Sequence, residues 1–203
     1  MSRKNPYARP DARTREAKAS GYPARSVFKL QEIDKRCQLL TKGARVLDLG
    51  AAPGSWSLYA SERVGTAGCV VAVDLQKIRQ AFADNVVVLQ KDVFELGSGL
   101  EEHGPFDVIL SDMAPATSGF QFTDQARSFE LVMRALDLSL KLGHPRSHFV
   151  AKIFMSGDFP NAKRAVRAAY EQCRVIKPKS TRSNSSEVFL VGLNQTPKSE
   201  AGN

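Results

Sequence analysis

The sequence predicts an α/β fold: a seven-stranded, mostly parallel sheet with helices on both faces and its last strand reversed. Three observations predict it. After residue 40, short β-branched runs alternate with helix-spaced apolar patterns, the signature of βαβ units. The runs are nearly continuous rather than alternating, as strands covered on both faces require. The last two runs are joined only by a polar loop, KPKSTRSNSSE, which is too short for a crossover helix, so they should pair antiparallel.

Taken in order, strands are expected at 45–49 (RVLDL), 69–74 (CVVAVD), 86–89 (VVVL), 107–111 (DVILS), 148–154 (HFVAKIF), 173–176 and 188–193 (VFLVGL). Helices are expected near 55–64, 76–83, 124–142 and 161–172, with an earlier one carrying ARSVFKL. The third of the four aligns Phe129, Val132, Met133, Leu136 and Leu140 along one face. Residues 21–195 read as one domain, flanked by a basic flexible arm at 1–20 and a flexible tail at 196–203.

A chain of 203 residues with 42% hydrophobic, 25% charged and 8% aromatic residues is an ordinary globular composition, which excludes disordered and collagen-like proteins. Cys37, Cys69 and Cys173 are odd in number, far apart and free of any CxxC, so neither a disulfide frame nor a zinc site is expected and a reducing compartment is. No apolar leader and no stretch of roughly 18 apolar residues is present, so a cytoplasmic protein without membrane attachment is expected. His103, His144 and His148 lack metal-ligand spacing, and no metal is expected.

The net charge of +8 is unevenly placed. Residues 1–29 hold eight bases (Arg3, Lys4, Arg9, Arg13, Arg15, Lys18, Arg25, Lys29) against Asp11 and Glu16, a net of +6. A second run, Arg174, Lys177, Lys179 and Arg182, meets no acid until Glu187. Bases clustered near Tyr7 and Tyr22 fit a nucleic-acid partner, and a solvated basic tail fits them equally well.

In an open α/β sheet, ligands bind beyond the carboxyl ends of the strands. The first strand ends VLDLGAAPGSWS, where Gly50, Ala51, Ala52, Pro53 and Gly54 form a small-residue turn into a helix, admitting close backbone approach by a ligand. Asp74 closes the second strand, where an acid can accept from both hydroxyls of a nucleoside ribose. The pattern is not GxGxxG, and Pro53 and Trp56 crowd the turn. That suits a cofactor without a pyrophosphate, such as S-adenosylmethionine, and disfavours a nicotinamide dehydrogenase. A plain tight strand-to-helix connection is the other reading of the turn.

Lys152 interrupts FVAKIF, a strand buried on both faces, where an unpaired ammonium is costly. Asp112 closes the neighbouring strand and is its natural partner. Glu187 begins the reversed last strand, so it lies at the same edge, and Lys29 on the helix before the sheet completes two lysines and two carboxylates. Such a cluster can orient a hydroxyl and draw off its proton during methylation by in-line displacement. Each residue alone also fits an edge salt bridge, with Lys152 reaching to solvent; jointly, at one edge, they favour a reaction centre.

ARSVFKLQEID, VLDLGAAPGSWS, SDMAP, FVAKIF and SEVFLVG, in this order and spacing, resemble the FtsJ/RrmJ-type 2′-O-ribose methyltransferases of RNA, most of all those acting on bacterial large-subunit ribosomal RNA. The resemblance spans roughly residues 20–193. It implies a Rossmann-like methyltransferase fold and S-adenosylmethionine as cofactor. It also implies a Lys-Asp-Lys-Glu tetrad at Lys29, Asp112, Lys152 and Glu187, with Lys152 as the central base. The implied cofactor residues are Gly50, Gly54 and Trp56 in the first turn, Asp74 on the ribose, Asp92 near the adenine and Asp112 beside the methionine end. The implied partner is ribosomal RNA and the target a uridine; a monomer is the default expectation for the chain. The sequence departs from the family where GSW replaces GGW at Ser55 and where Ala116 follows SDMAP in place of the usual Asn. Residues 93–106 are shorter than usual, and KSTRSNSSE carries fewer arginines.

Alternatives differ in substrate or reaction. Transfer RNA ribose methylation keeps the chemistry. N-methylation of a base or protein would use an Asn/Asp-Pro-Pro-Tyr-like motif where this chain has Asp112-Met113-Ala114-Pro115, with no need for Lys152. A non-catalytic RNA-binding protein would tolerate loss of Lys152. Phe120 and Phe122, after the aspartate, either stack on a base or pack their own loop.

Overall fold

The computed structural model describes residues 12–96, 98–115, 119–182 and 185–197. The bases Arg3, Lys4 and Arg9, along with Tyr7, Asp11, Ala116 and most of the tail, lie outside the described residues. Two helices precede the sheet, α1 (Ala12–Ala19) and α2 (Val27–Cys37). There follow β1 (Arg45–Leu49), α3 (Ser55–Val64), β2 (Cys69–Asp74), β3 (Val86–Gln90), β4 (Phe106–Ser111), α4 (Gln121–Leu142), β5 (Gly143–Phe154), α5 (Phe159–Ala169), β6 (Tyr170–Ile176) and β7 (Glu187–Gln195).

The seven strands run in the order β3-β2-β1-β4-β5-β7-β6. Neighbours from β3 to β5 pair parallel, whereas β7 inserts between β5 and β6 and is antiparallel to both. The sheet is therefore as the apolar runs imply, with its last strand reversed. Its two faces each have a core. Leu47, Val71, Ile109, Phe149 and Leu190 pack beneath α4 and α5, while Val46, Val70, Val108, Val150 and Phe189 pack beneath α2 and α3. This strict period of two on strands covered on both sides explains the uninterrupted apolar runs. From α2, Leu30 and Ile33 are fully buried in the second core, each contributing about 1.5–3 kcal/mol.

Several boundaries differ from expectation. Residues 76–83 form no helix: the Gln76 N–H bonds back to the Asp74 carboxylate, and Gln80 and Phe82 fold across the small-residue turn at Gly54. The last helix stops at Ala169 because Tyr170 enters β6 and pairs with Gln195. Strand β5 begins at Gly143, five residues early, because Gly143 pairs with Phe106 before a register shift brings His148 opposite Val108. Within the arm predicted as flexible, 12–19 are helical; Ala17 is fully buried and joins Tyr22 and Val27 in a small third cluster. The C-terminal end of α2 is held by Asp34, whose Oδ1 accepts the Leu39 and Leu40 N–H groups at 2.9 Å each.

Candidate active site

The period of two decides which side chains meet at the carboxyl edge. Lys152 shares the face of Val150, and Glu187 that of Phe189 and Val191, so both emerge toward α2 and α3. Asp112, one residue beyond β4, shares the face of Leu110, and α2 brings Lys29 from the same side. The geometry then forms two ion pairs. Lys152 Nζ donates to Asp112 Oδ1 at 2.8 Å and to the Asp112 backbone carbonyl at 2.6 Å. Lys29 Nζ lies 2.6 Å from Glu187 Oε1 and 5.9 Å from the centre of the Phe189 ring. Lys152 retains only 8% exposure and Glu187 7%, so neither is a lysine or acid reaching freely to solvent. All four predicted members of the cluster are thus at one edge, as two pairs.

Beside them lies a cavity of about 860 Å³. Its lining includes Gly50, Asp74, Asp92, Asp112 and Lys152, five of the residues singled out from sequence. The turn at its floor is shaped by Gly50, at φ +76° with Met113 packed against it. A Cβ there would come within 2.6 Å of Met113 Cγ. Gly54, at φ +112°, has no room for a Cβ beside Gln80 and Phe82. Asp74 is fixed by backbone donors, Ala52 N–H to Oδ2 at 2.8 Å and Gln76 N–H to Oδ1 at 2.7 Å. Asp92 Oδ1 accepts the Phe94 N–H at 2.9 Å. Each carboxylate oxygen keeps further lone-pair capacity toward the cavity.

The Trp56 side chain is buried, its Nε1 donates to the Ser26 carbonyl at 2.9 Å, and its ring packs 5.8 Å from Phe189. Sequence reasoning missed Ser26, Arg127 and Glu130, which line the cavity from the lead-in to α2 and from α4. The polar pair Arg127 and Glu130, three apart on α4, was the available signal.

Beneath the turn sits Asp48, fully buried on β1. Ser57 Oγ donates to its Oδ2 at 2.6 Å, and its Oδ1 has no hydrogen-bond partner among the described residues. Burial is the main cause that pushes its carboxyl up to about 7, reinforced by the charges of Asp112 and Asp74 and opposed by the Ser57 bond.

An open, mostly parallel sheet with a reversed strand near its edge, a cavity at a small-residue turn and an anchored acid ending β2 define the class of Rossmann-like methyltransferases. The comparisons narrow this. The family model described as FtsJ-like methyltransferase matches residues 22–195, and the chain belongs to that family. It is 55% identical over 200 residues to the ribosomal RNA large subunit methyltransferase E of Sorangium cellulosum, covering 98% of this chain and 94% of that one. The protein of the same name from Desulfosudis oleivorans is 45% identical over 195 residues, covering 95% and 94%. Among solved structures, a ribosomal RNA methyltransferase from Plasmodium falciparum shares the fold, with a TM-score of 0.77 at 24% identity over 87% of this chain and all of that one.

Proposed function

We propose that this chain transfers the methyl group of S-adenosylmethionine to the ribose 2′-hydroxyl of a uridine in large-subunit ribosomal RNA. The observation that carries the reading is Lys152, buried at the rim of the cavity and held by two oxygens of Asp112. The donor set suits the cofactor: small residues give close backbone approach, and Asp74 offers anchored oxygens to ribose hydroxyls. Asp92 stands at the same wall. When bound, S-adenosylmethionine supplies an electrophilic methyl group.

The rest is the work of this chain's side chains. Lys152 has three valences beyond its stem, and Asp112 engages two of them. In the neutral amine, which is the form that reacts, the third is a lone pair open to the ribose hydroxyl, so the nitrogen orients that hydroxyl and accepts its proton as the oxygen forms its new bond, becoming an ammonium paired with Asp112. Asp112 keeps the amine in place and balances the charge it acquires. Lys29 and Glu187 form a second neutralised pair that positions the ribose. The basic run of Lys177, Lys179 and Arg182 sits at the same edge, with the Lys179 N–H on Glu32 of α2, and supports a polyanionic substrate. Action as a monomer in the cytoplasm completes the proposal; the three cysteines are free.

The test is tritiated methyl transfer from S-adenosylmethionine into undermodified large ribosomal subunits, naked ribosomal RNA and bulk transfer RNA, with Lys152→Ala alongside. Labelling of the subunits that the substitution abolishes is expected. Labelling of transfer RNA instead would keep the chemistry and replace the substrate, and equal labelling by the variant would remove Lys152 from the reaction.

A further inference from the structure

The first two residues of α3 follow the turn that floors the cavity, yet their side chains face the segment leading into α2. Ser55 is fully buried. Its Oγ accepts the Ala24 N–H at 2.8 Å and donates to the Ala24 carbonyl at 3.2 Å, so a single hydroxyl serves both polar groups of one residue. Next along, Trp56 Nε1 donates to the Ser26 carbonyl at 2.9 Å. Between these anchors, Arg25 reaches the other way, to the Ser180 carbonyl at 2.6 Å.

The two carbonyls so held also begin α2. The Ala24 carbonyl accepts the Val27 N–H at 3.4 Å, and the Ser26 carbonyl accepts the N–H of Lys29 itself at 3.0 Å. No side chain caps α2, since Ser26 makes no capping bond, so its first turn depends on these carbonyls staying in place. Lys29 is held from its other end by the same neighbour. The Trp56 ring packs on Phe189, over whose face the Lys29 ammonium lies. Backbone and ammonium of Lys29 are therefore each one contact from Trp56.

We infer that Ser55 and Trp56 are positioning residues for Lys29: a clasp from the cofactor turn to the start of α2 that sets where the second lysine stands. The inference rests on the reading of Lys29 as part of the reaction centre. It gives the serine of GSW a task that a glycine lacks the atom to perform, because only the hydroxyl meets both groups of Ala24.

The experiment is a double-mutant cycle in the full chain. Ser55→Ala removes the bridging hydroxyl, and Trp56→Phe removes the indole N–H while keeping a ring against Phe189. Each is made alone and with Lys29→Ala. Methyl transfer into undermodified large subunits is measured at saturating cofactor, with cofactor Kd by calorimetry and folding by thermal melting. Each single variant is expected to lower kcat about tenfold through misplacement of Lys29, with cofactor Kd within about twofold of the original. In the Lys29→Ala background neither should lower kcat by more than about twofold further, because neighbours acting through one group are not additive.

A full tenfold loss on top of Lys29→Ala would overturn the inference, as would unchanged kcat in both single variants or a large rise in cofactor Kd with kcat preserved. A merely structural role would lower the melting temperature without that pattern. Should Ser55→Ala fail to fold, the Trp56→Phe cycle decides alone. Original kcat in Lys29→Ala by itself would instead overturn the reading of the lysine pair, and the clasp with it.

Discussion

The two halves of the sheet's carboxyl edge hold their carboxylates in different ways. Over β1 to β3, Asp74 and Asp92 are met by backbone N–H groups of Ala52, Gln76 and Phe94. Over β4, β5 and β7, Asp112 and Glu187 are met by lysines. A carboxylate pinned by amides is a rigid acceptor that has no proton to exchange with its partner. One paired with an amine belongs to a unit that can take up or release a proton. The first arrangement suits holding hydroxyl groups, the second suits changing them.

The sharpest way to break that comparison is to exchange the lysine. Lys152→Ala should lower kcat by about 10³-fold while leaving cofactor Kd within about twofold of the original. Lys152→Arg should not restore the rate, because a guanidinium keeps its protons. Calorimetry beside single-turnover kinetics separates the two readouts, and a variant that binds cofactor poorly would place the lysine in the binding half. Next in size, Asp74→Ala should weaken cofactor binding about 10–100-fold, the scale for hydrogen bonds to a charged group. Its kcat at saturating cofactor should stay within about threefold of the original. A loss of kcat with unchanged Kd would erase the distinction between the halves.

Asp48 belongs to neither arrangement, having one serine and no cation among the described residues, and it sharpens the comparison through pH. Its carboxyl titrates at about 7 in the fold and at about 3.9 in an unfolded chain. Between those values the folded protein binds the extra proton, so this group makes stability fall as pH rises, and the loss is complete above about 7. Asp48→Asn keeps a neutral side chain throughout. Urea unfolding should therefore show the variant gaining on the original protein by on the order of 2 kcal/mol between pH 5 and pH 8. Parallel pH profiles would show that Asp48 is ionised within the fold.

Much of this edge was legible in the sequence because strand parity is a local rule. A lysine at an even position of a doubly buried strand, an aspartate ending its neighbour and a glutamate starting a reversed strand emerge together whatever the loops do. Long-range packing was not legible in the same way. Residues 76–83 contain enough helix-formers to suggest a helix, but the Asp74 carboxylate captures the Gln76 N–H, and Phe82 fills the space above Gly54. Trp56 follows the turn at Gly54, and the sequence alone does not say which way its side chain faces. The helix that begins at Ser55 rotates it toward Phe189. Ala17 and its buried cluster were hidden by the charges around them, which sit on the exposed sides of α1.

The reversed strand has one more consequence. Because β7 is paired on both sides, its register is locked independently of the ten residues that lead into it. Glu187 lies opposite Phe154 in that register. That connection is an overhang whose design can drift while the floor beneath it stays put. Substitutions in this one stretch leave the acid's address untouched.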